Sequence, residues 1–264
     1  MIIIREIEFL SISIRTPQKL WRVFKEPLVT SRWIISLLTF ILMIPSIFST
    51  LTYIKQFQSD LLDLSEKIPE FSIVDGKLKT EDSSVKGFVF QADAFIFTFD
   101  PSGTTTKEDI SLEAGNLYPS AGLLADQLYV DLSVIDRTFS YADIPQLNKG
   151  VVSTFIKTFS RQIWIGFAVF ILIFYIILLL YVLASVYFLY WINRIMFRIA
   201  NQNQEMYTFK QLWQFSLGSV VLPIILYSVM LLLGVVVADL PILMGIFAMI
   251  TFYLVYTDPN RQKP

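Results

Sequence analysis

Four stretches of this chain contain no Asp, Glu, Lys, Arg or His, and between the first two lies a long segment where apolar and polar residues alternate at strand spacing. The uncharged stretches are residues 33–54, 163–192, 213–237 and 241–257. A helix rises about 1.5 Å per residue and a bilayer's hydrocarbon core is about 30 Å thick, so each stretch is long enough to read as a span. Residues 163–192 would make about 45 Å of helix with no turn residue inside. That predicts one tilted helix protruding from the bilayer rather than two spans. Residues 33–54 are too long for a signal peptide's apolar region and lack a small-residue cleavage site, so they read as an uncleaved anchor. The link VVVADLPIL is so short that the last two spans must form an antiparallel hairpin, with Asp239 placed to cap the final helix and Pro241 in its first turn.

Residues 55–162 are predicted to form a small α+β domain, since a segment of that length does not stay structureless in a compact protein. A helix over QFQSDLLDLSEK leaves the first span and stops before Pro69. FSIVDGKLKT reads as a hairpin turning at Asp75-Gly76. KGFVFQADAFIFTF is strand-like, DPSG a turn, and TKEDISLEAG a short helix. QLYVDLSVI and RTFSYADI read as two more strands. From Pro145 the pattern returns to helix, with Leu147, Val151, Phe155 and Phe159 on one stripe at the membrane surface leading into the second span.

Residues 1–32 form a basic segment, with Arg5, Arg15, Lys19, Arg22, Lys25 and Arg32 against Glu6, Glu8 and Glu26. Ile3, Ile7, Leu10 and Ile14 recur at helical spacing, and Leu20, Trp21, Val23 and Phe24 oppose Lys19, Arg22 and Lys25. This reads as one or two amphipathic helices on the membrane's inner face, with a loose basic tail as the alternative.

Charge then orients the chain. The middle segment is acidic, with sixteen Asp/Glu against ten Lys/Arg, whereas basic residues cluster in 1–32, in the 193–212 loop and in the 258–264 tail. Four spans put those three segments on one side, and the positive-inside rule makes that side cytoplasmic. Trp33, Trp164, Trp191 and Trp213 fall at span ends and Trp21 on the surface helix, where an apolar ring with a polar N–H is best accommodated. The expected architecture is a polytopic α-helical membrane protein of about four spans, both termini cytoplasmic, with an extracytoplasmic α+β domain between spans one and two. The lipid bilayer is its first partner.

Composition narrows the chemistry. With 55% hydrophobic residues and 16% charged, the chain has more apolar surface than a soluble domain can hide. It has no Cys and no His, which removes disulfides, thiolate catalysis, Cys/His zinc sites and imidazole acid–base chemistry. Spans without ionisable groups argue against proton- or ion-coupled transport. Pro45 and Pro223 sit inside spans, where a proline kinks the helix either as a functional break or simply to shape the bundle. Asp75, Glu81, Asp82, Asp93, Asp100, Glu108 and Asp109 are the candidate metal or acid–base carboxylates. DPSGTTTKED, however, lacks the alternating acidic positions of a calcium loop, and Asp100-Pro101 reads more simply as a turn. Phe71, Phe88, Phe90, Phe95, Phe97, Phe99, Tyr118, Tyr129 and Tyr141 would serve a carbohydrate platform, although aromatic stripes at strand spacing usually face a core. Phosphate loops, nucleophile elbows and nucleic-acid signatures are absent from the sequence, so no cofactor and no nucleic-acid partner is expected.

The stretch RTPQKLWRVFKEPLVTSRW, Pro45 in the first span, the segment IPEFSIVDGKLKTED…FIFTFDPSGTTTKEDI and the three C-terminal spans together resemble a family of Gram-positive bacterial membrane proteins. It is the domain-of-unknown-function family whose streptococcal members are labelled maltodextrin-utilisation protein MalA. The resemblance implies a link to maltodextrin uptake and supplies no catalytic or ligand residues. The leading expectation is a non-enzymatic accessory or sensor protein of the cell membrane, partnered by a protein such as a sugar-uptake system. A component of sugar or lipid transport and an envelope enzyme using outer-domain carboxylates are the alternatives.

Overall fold

The computed structural model describes residues 2–25, 31–82, 85–115, 119–131, 136–200, 207–235 and 239–259. Glu26, Tyr118, the polar stretch 201–206, part of the link between the last two spans, and Arg261 and Lys263 lie outside the described residues. The chain divides into two compact units, one of Met1–Ser49 with Val169–Pro264 and one of Thr50–Ala168.

Among the described residues, four helices are long and apolar enough to cross a membrane: α2 (Ser31–Lys67), α4 (Lys149–Ala200), α5 (Phe209–Leu232) and α6 (Leu240–Thr257). The helices α2 and α4 run well beyond their apolar stretches, at 37 and 52 residues, and each contributes to both units. The first stops at Lys67 because Pro69 pushes its predecessor out of helical conformation. Both Pro45 and Pro223 are buried within helices that continue through them. At the start of α6, Pro241 occupies the first turn as expected, but Asp239 makes no side-chain capping bond. Its backbone carbonyl instead accepts from the Ile242 and Leu243 N–H groups.

Preceding these, α1 (Ile2–Arg15) and a 3-10 helix (Pro17–Phe24) pack on α5, the 3-10 helix also on α6. Leu20 and Val23 are fully buried, so the apolar side of the 3-10 helix meets protein where the sequence suggested lipid. Among the described side chains of α1 the buried positions are Phe9, Ile12 and Ser13, whereas of the expected stripe Ile7 and Ile14 are exposed, Leu10 is half-buried and the Ile3 side chain lies outside those described. The helix therefore carries two apolar faces, and the 3.6-residue pattern picked out the outward one.

The second unit holds a hairpin, β1 (Phe71–Val74) with β2 (Lys77–Thr80), and a five-stranded sheet. Asp75 (φ 54°) and Gly76 (φ 73°) make the expected two-residue turn with positive φ at both positions. The sheet consists of β3 (Phe88–Gln91), β4 (Ile96–Phe99), β5 (Ser120–Leu123), β6 (Gln127–Asp131) and β7 (Asp136–Ser140), neighbours in that order. Among the described strands only β4 and β5 pair in parallel, with α3 (Lys107–Ala114) in their crossover. One sheet face presents Phe97, Phe99 and Leu123 to a core shared with Phe71, Leu78 and Tyr141, with Leu64 and Ile68 of α2 and with Ile156 of α4. The α4 stripe at Val151, Phe155 and Phe159 is exposed, and Val152 and Ile156 face the core instead.

The strand β5, Ser-Ala-Gly-Leu, went unrecognised in the sequence because it has neither β-branched residues nor alternation. Its composition follows from its place beneath α3. A Cβ at Gly122 would lie 2.5 Å from Cδ1 of the fully buried Ile110. Gly122→Val should therefore push α3 off the sheet, destabilising this unit by about 2 kcal/mol. Hydrogen exchange of the full chain would register it as lost protection over residues 107–131, and unchanged protection would contradict this packing.

Candidate functional site

The helical unit is organised at one end by an aromatic cluster. Phe197, near the end of α4, lies 5.2 Å from Phe24, 5.2 Å from Tyr207, 5.1 Å from Phe215 and 4.8 Å from Phe252, ring centroid to centroid. All four contacts are edge-on, with interplanar angles of 79°, 71°, 81° and 72°, the arrangement that places a positive ring edge on a negative ring face. Polar contacts tie the same elements. The Trp21 indole N–H donates to Asp258 Oδ2 at 3.2 Å, just past α6, and the Tyr256 hydroxyl donates to the Ala200 carbonyl at 3.2 Å. The Gln211 amide donates to the Phe24 carbonyl while its oxygen closes a capping box with Thr208 at the start of α5. Segments distant in sequence, around residues 21–25, 197–200, 207–215 and 252–258, thus meet within this unit.

Behind the cluster runs a buried polar seam. Asn193 is fully buried and its side-chain N–H donates to Ser216 Oγ at 2.9 Å. The Asn193 Oδ1 atom is buried without a hydrogen-bond partner among the described residues. Ser13 bonds back to the Phe9 carbonyl and Ser219 to the Ser216 carbonyl, both at 2.8 Å. A Cβ on Gly218 would meet Leu20 at 2.7 Å, so the missing side chain is what lets the 3-10 helix approach α5. Small residues that allow close approach and polar residues that bond across helices are the usual means of joining helices in lipid.

Of the expected interface tryptophans, Trp33, Trp164 and Trp191 are exposed, Trp213 is half-buried against Phe209, and Trp21 is half-buried with Lys25 over its ring.

In the β-containing unit Asp93, Asp100 and Asp109 of the candidate carboxylates serve the fold. Asp100, 2% exposed at the end of β4, accepts from the Ser102 N–H and hydroxyl through Oδ1, and from the Thr104 hydroxyl and Thr105 N–H through Oδ2. Burial by itself would raise its pKa, but the bonds from Ser102 and Thr105 together outweigh it and hold the group at about 2. Asp109 caps α3, accepting from the Thr106 N–H at 2.8 Å, and these bonds lower its pKa. Asp93 accepts from the Gln56 amide, and Asp60 on α2 is pushed up by burial and then by Asp93 and Asp63. Asp75 lies in the hairpin turn, and Glu81, Asp82 and Glu108 are exposed. Among the described residues no group of three Asp/Glu side chains is placed to hold a metal ion.

Six of the nine candidate aromatic residues are likewise committed, while Phe88 and Phe90 are half-buried. Phe71, Phe95, Phe97, Phe99, Tyr129 and Tyr141 are buried, and the Tyr141 hydroxyl, its pKa raised by burial, donates to the Leu124 carbonyl at 2.8 Å. None of these six offers a flat face to a sugar. One recess in this unit is a groove of about 670 Å³ beside the edge strand β3, lined among others by Lys86, Phe88, Val89, Thr98, Ser102 and Thr104. The buried Thr98 hydroxyl has no partner among the described residues. Sequence reasoning missed this groove and the aromatic cluster, because each is assembled from separated segments.

Over residues 7–257 the chain matches the family model described as a protein of unknown function, DUF1189. No curated protein and no solved structure matches it.

Proposed function

The chain belongs to the DUF1189 family of proteins of unknown function, and from that premise we propose that it is a non-enzymatic accessory or sensor protein of the cell membrane. The four apolar helices are its spans, both termini are cytoplasmic, and the β-containing unit faces the outside, where it binds a partner or envelope component. The observation that carries this reading is the use made of the outer unit's reactive side chains. Asp100 and Asp109 are spent on hydrogen bonds within one loop and helix cap, and the aromatics on a core. What remains outward is surface for recognition rather than groups poised for chemistry. The meeting of residues 21–25, 197–200 and 256–258 at one end of the helical unit supports a shared side for the N-terminal segment, the 193–212 loop and the tail. The partner proposed is a membrane component of a sugar-uptake system, in keeping with the resemblance to maltodextrin-utilisation proteins.

Affinity capture of the full chain in mild detergent should recover a stoichiometric membrane partner, and recovery of the chain alone in several detergents would defeat the proposal. Orientation is checked separately, aided by the absence of native cysteine. In intact cells, Lys79→Cys should react with an impermeant maleimide and Lys19→Cys should not. The reverse result would invert the topology.

A further inference from the structure

We infer that a crevice between α1, α2 and α4 in the helical unit binds a membrane lipid whose headgroup carries a protonated amine. The inference rests on the membrane reading above. The crevice encloses about 510 Å³, lined chiefly by Glu6, Ile7 and Leu10 of α1 and by Trp33, Leu37 and Phe40 of α2. Its walls are almost wholly apolar and open outward, with Trp33 70% and Ile7 61% exposed. In water such a surface would be costly; on a spanning helix it is a bed for an acyl chain.

One group does not belong in that bed. Glu6 Oε1 is buried and has no hydrogen-bond partner among the described residues. The contrast with the other acid on this helix is direct, since Glu8 is paired with Arg22 at 2.6 Å. A buried carboxylate oxygen without a donor is unfavourable, and turning the Glu6 carboxylate into the crevice it lines, where a donor from outside the chain can reach it, would relieve it. On the lipid side, donors come only from headgroups and their water. A primary ammonium brings both N–H groups and the opposite charge, the strongest match to a carboxylate. A headgroup with phosphate alone would set like charges together.

A second polar feature in the crevice fits the rest of a phospholipid. Ser36 Oγ and Tyr175 Oη, both on lining residues, lie 2.8 Å apart, and either can donate to the other. Whichever donates, the acceptor keeps its own proton free for an ester or phosphate oxygen. The exposed Arg5 and Arg32, sequence neighbours of Glu6 and Trp33, are of the type that phosphate attracts. Carboxylate, hydroxyls and apolar wall thus correspond in turn to ammonium, ester and acyl chain.

The test uses the full chain purified in mild detergent with equal amounts of phosphatidylethanolamine, phosphatidylcholine and phosphatidylglycerol, the retained lipids being counted by native mass spectrometry. Phosphatidylethanolamine should be retained about ten-fold or more over each of the others, the size expected of one charge-assisted hydrogen bond net of solvation. Its advantage over phosphatidylcholine isolates the N–H donors, because a quaternary ammonium has none. Glu6→Gln should bring the three lipids near parity, and Glu8→Gln should leave the preference intact. Parity in the native chain, or a preference that survives Glu6→Gln, would overturn the site. Neither outcome bears on partner capture, so the two proposals fail separately.

Discussion

Replacing Phe197 by alanine is expected to release the 3-10 helix from the end of the helical bundle. Four aromatic rings lie around Phe197 at 4.8 to 5.2 Å, and it is itself almost completely buried. Truncating a buried phenylalanine costs about 3–5 kcal/mol, through lost transfer energy and the cavity left behind. The consequence is specific because the cluster is the junction of four segments rather than the middle of one helix pair. Phe24 loses its edge-on partner but keeps its stacked contacts with Tyr207 at 4.2 Å and Phe215 at 5.7 Å, and the 3-10 helix then depends on these, on Leu20 and Val23, on the Gln211–Phe24 bond and on the Trp21–Asp258 bond. At 1.4 kcal/mol per tenfold, even about 3 kcal/mol raises the detached population by about 100-fold. Arg15, Lys19, Arg22 and Lys25 sit in or beside this segment, so trypsin cleavage there should accelerate by a similar factor while the rest of the chain stays resistant. If the Phe197→Ala protein is cut at the native rate, the cluster does not hold the segment.

The second large effect is expected at Asp100. Asp100→Ala removes the acceptor of two backbone N–H groups and two hydroxyls in the loop that delivers the chain from β4 to α3. Losing charge-assisted bonds at a buried position, with the loop's N–H groups left unpaired, should cost about 3 kcal/mol. The full chain should then exchange amide hydrogens faster over residues 100–115. The sign of the pH dependence follows from the direction of the shift. With a folded-state value of about 2 against the ordinary 3.8, the folded chain favours the ionised group. Its contribution, on the order of 2 kcal/mol, is fully present above about pH 4 and is lost as the pH falls towards 2. Asp100→Asn should accordingly trail the native chain in stability at neutral pH and approach it in acid. A constant gap across that range would show that the carboxylate's ionisation is not what stabilises the loop.

These two residues differ in how far the sequence disclosed them. Asp100-Pro101 was legible as a turn, because it is made by residues within a few positions of each other, whereas the Thr106–Asp109 cap, equally local, was not read from the sequence. Legible in the same way were the Asp75-Gly76 hairpin, the stop before Pro69 and the four apolar helices, each set by the periodicity or the dihedral limits of its own residues. Phe197 gave no such sign. Its role depends on which residues of three other segments reach it, and periodicity says only that a face is apolar, not what covers it. That is why α1 showed its outward stripe while Phe9 and Ile12 formed the buried one, and why β5 passed unnoticed until Ile110 was found above Gly122. Local order fixed where the helices and turns lie, because those depend on neighbouring backbone dihedrals and on the length of uncharged runs. The pairing of Asn193 with Ser216, the unpaired oxygen of Glu6 and the groove beside β3 were decided by tertiary packing, which joins side chains across distances the chain order does not encode.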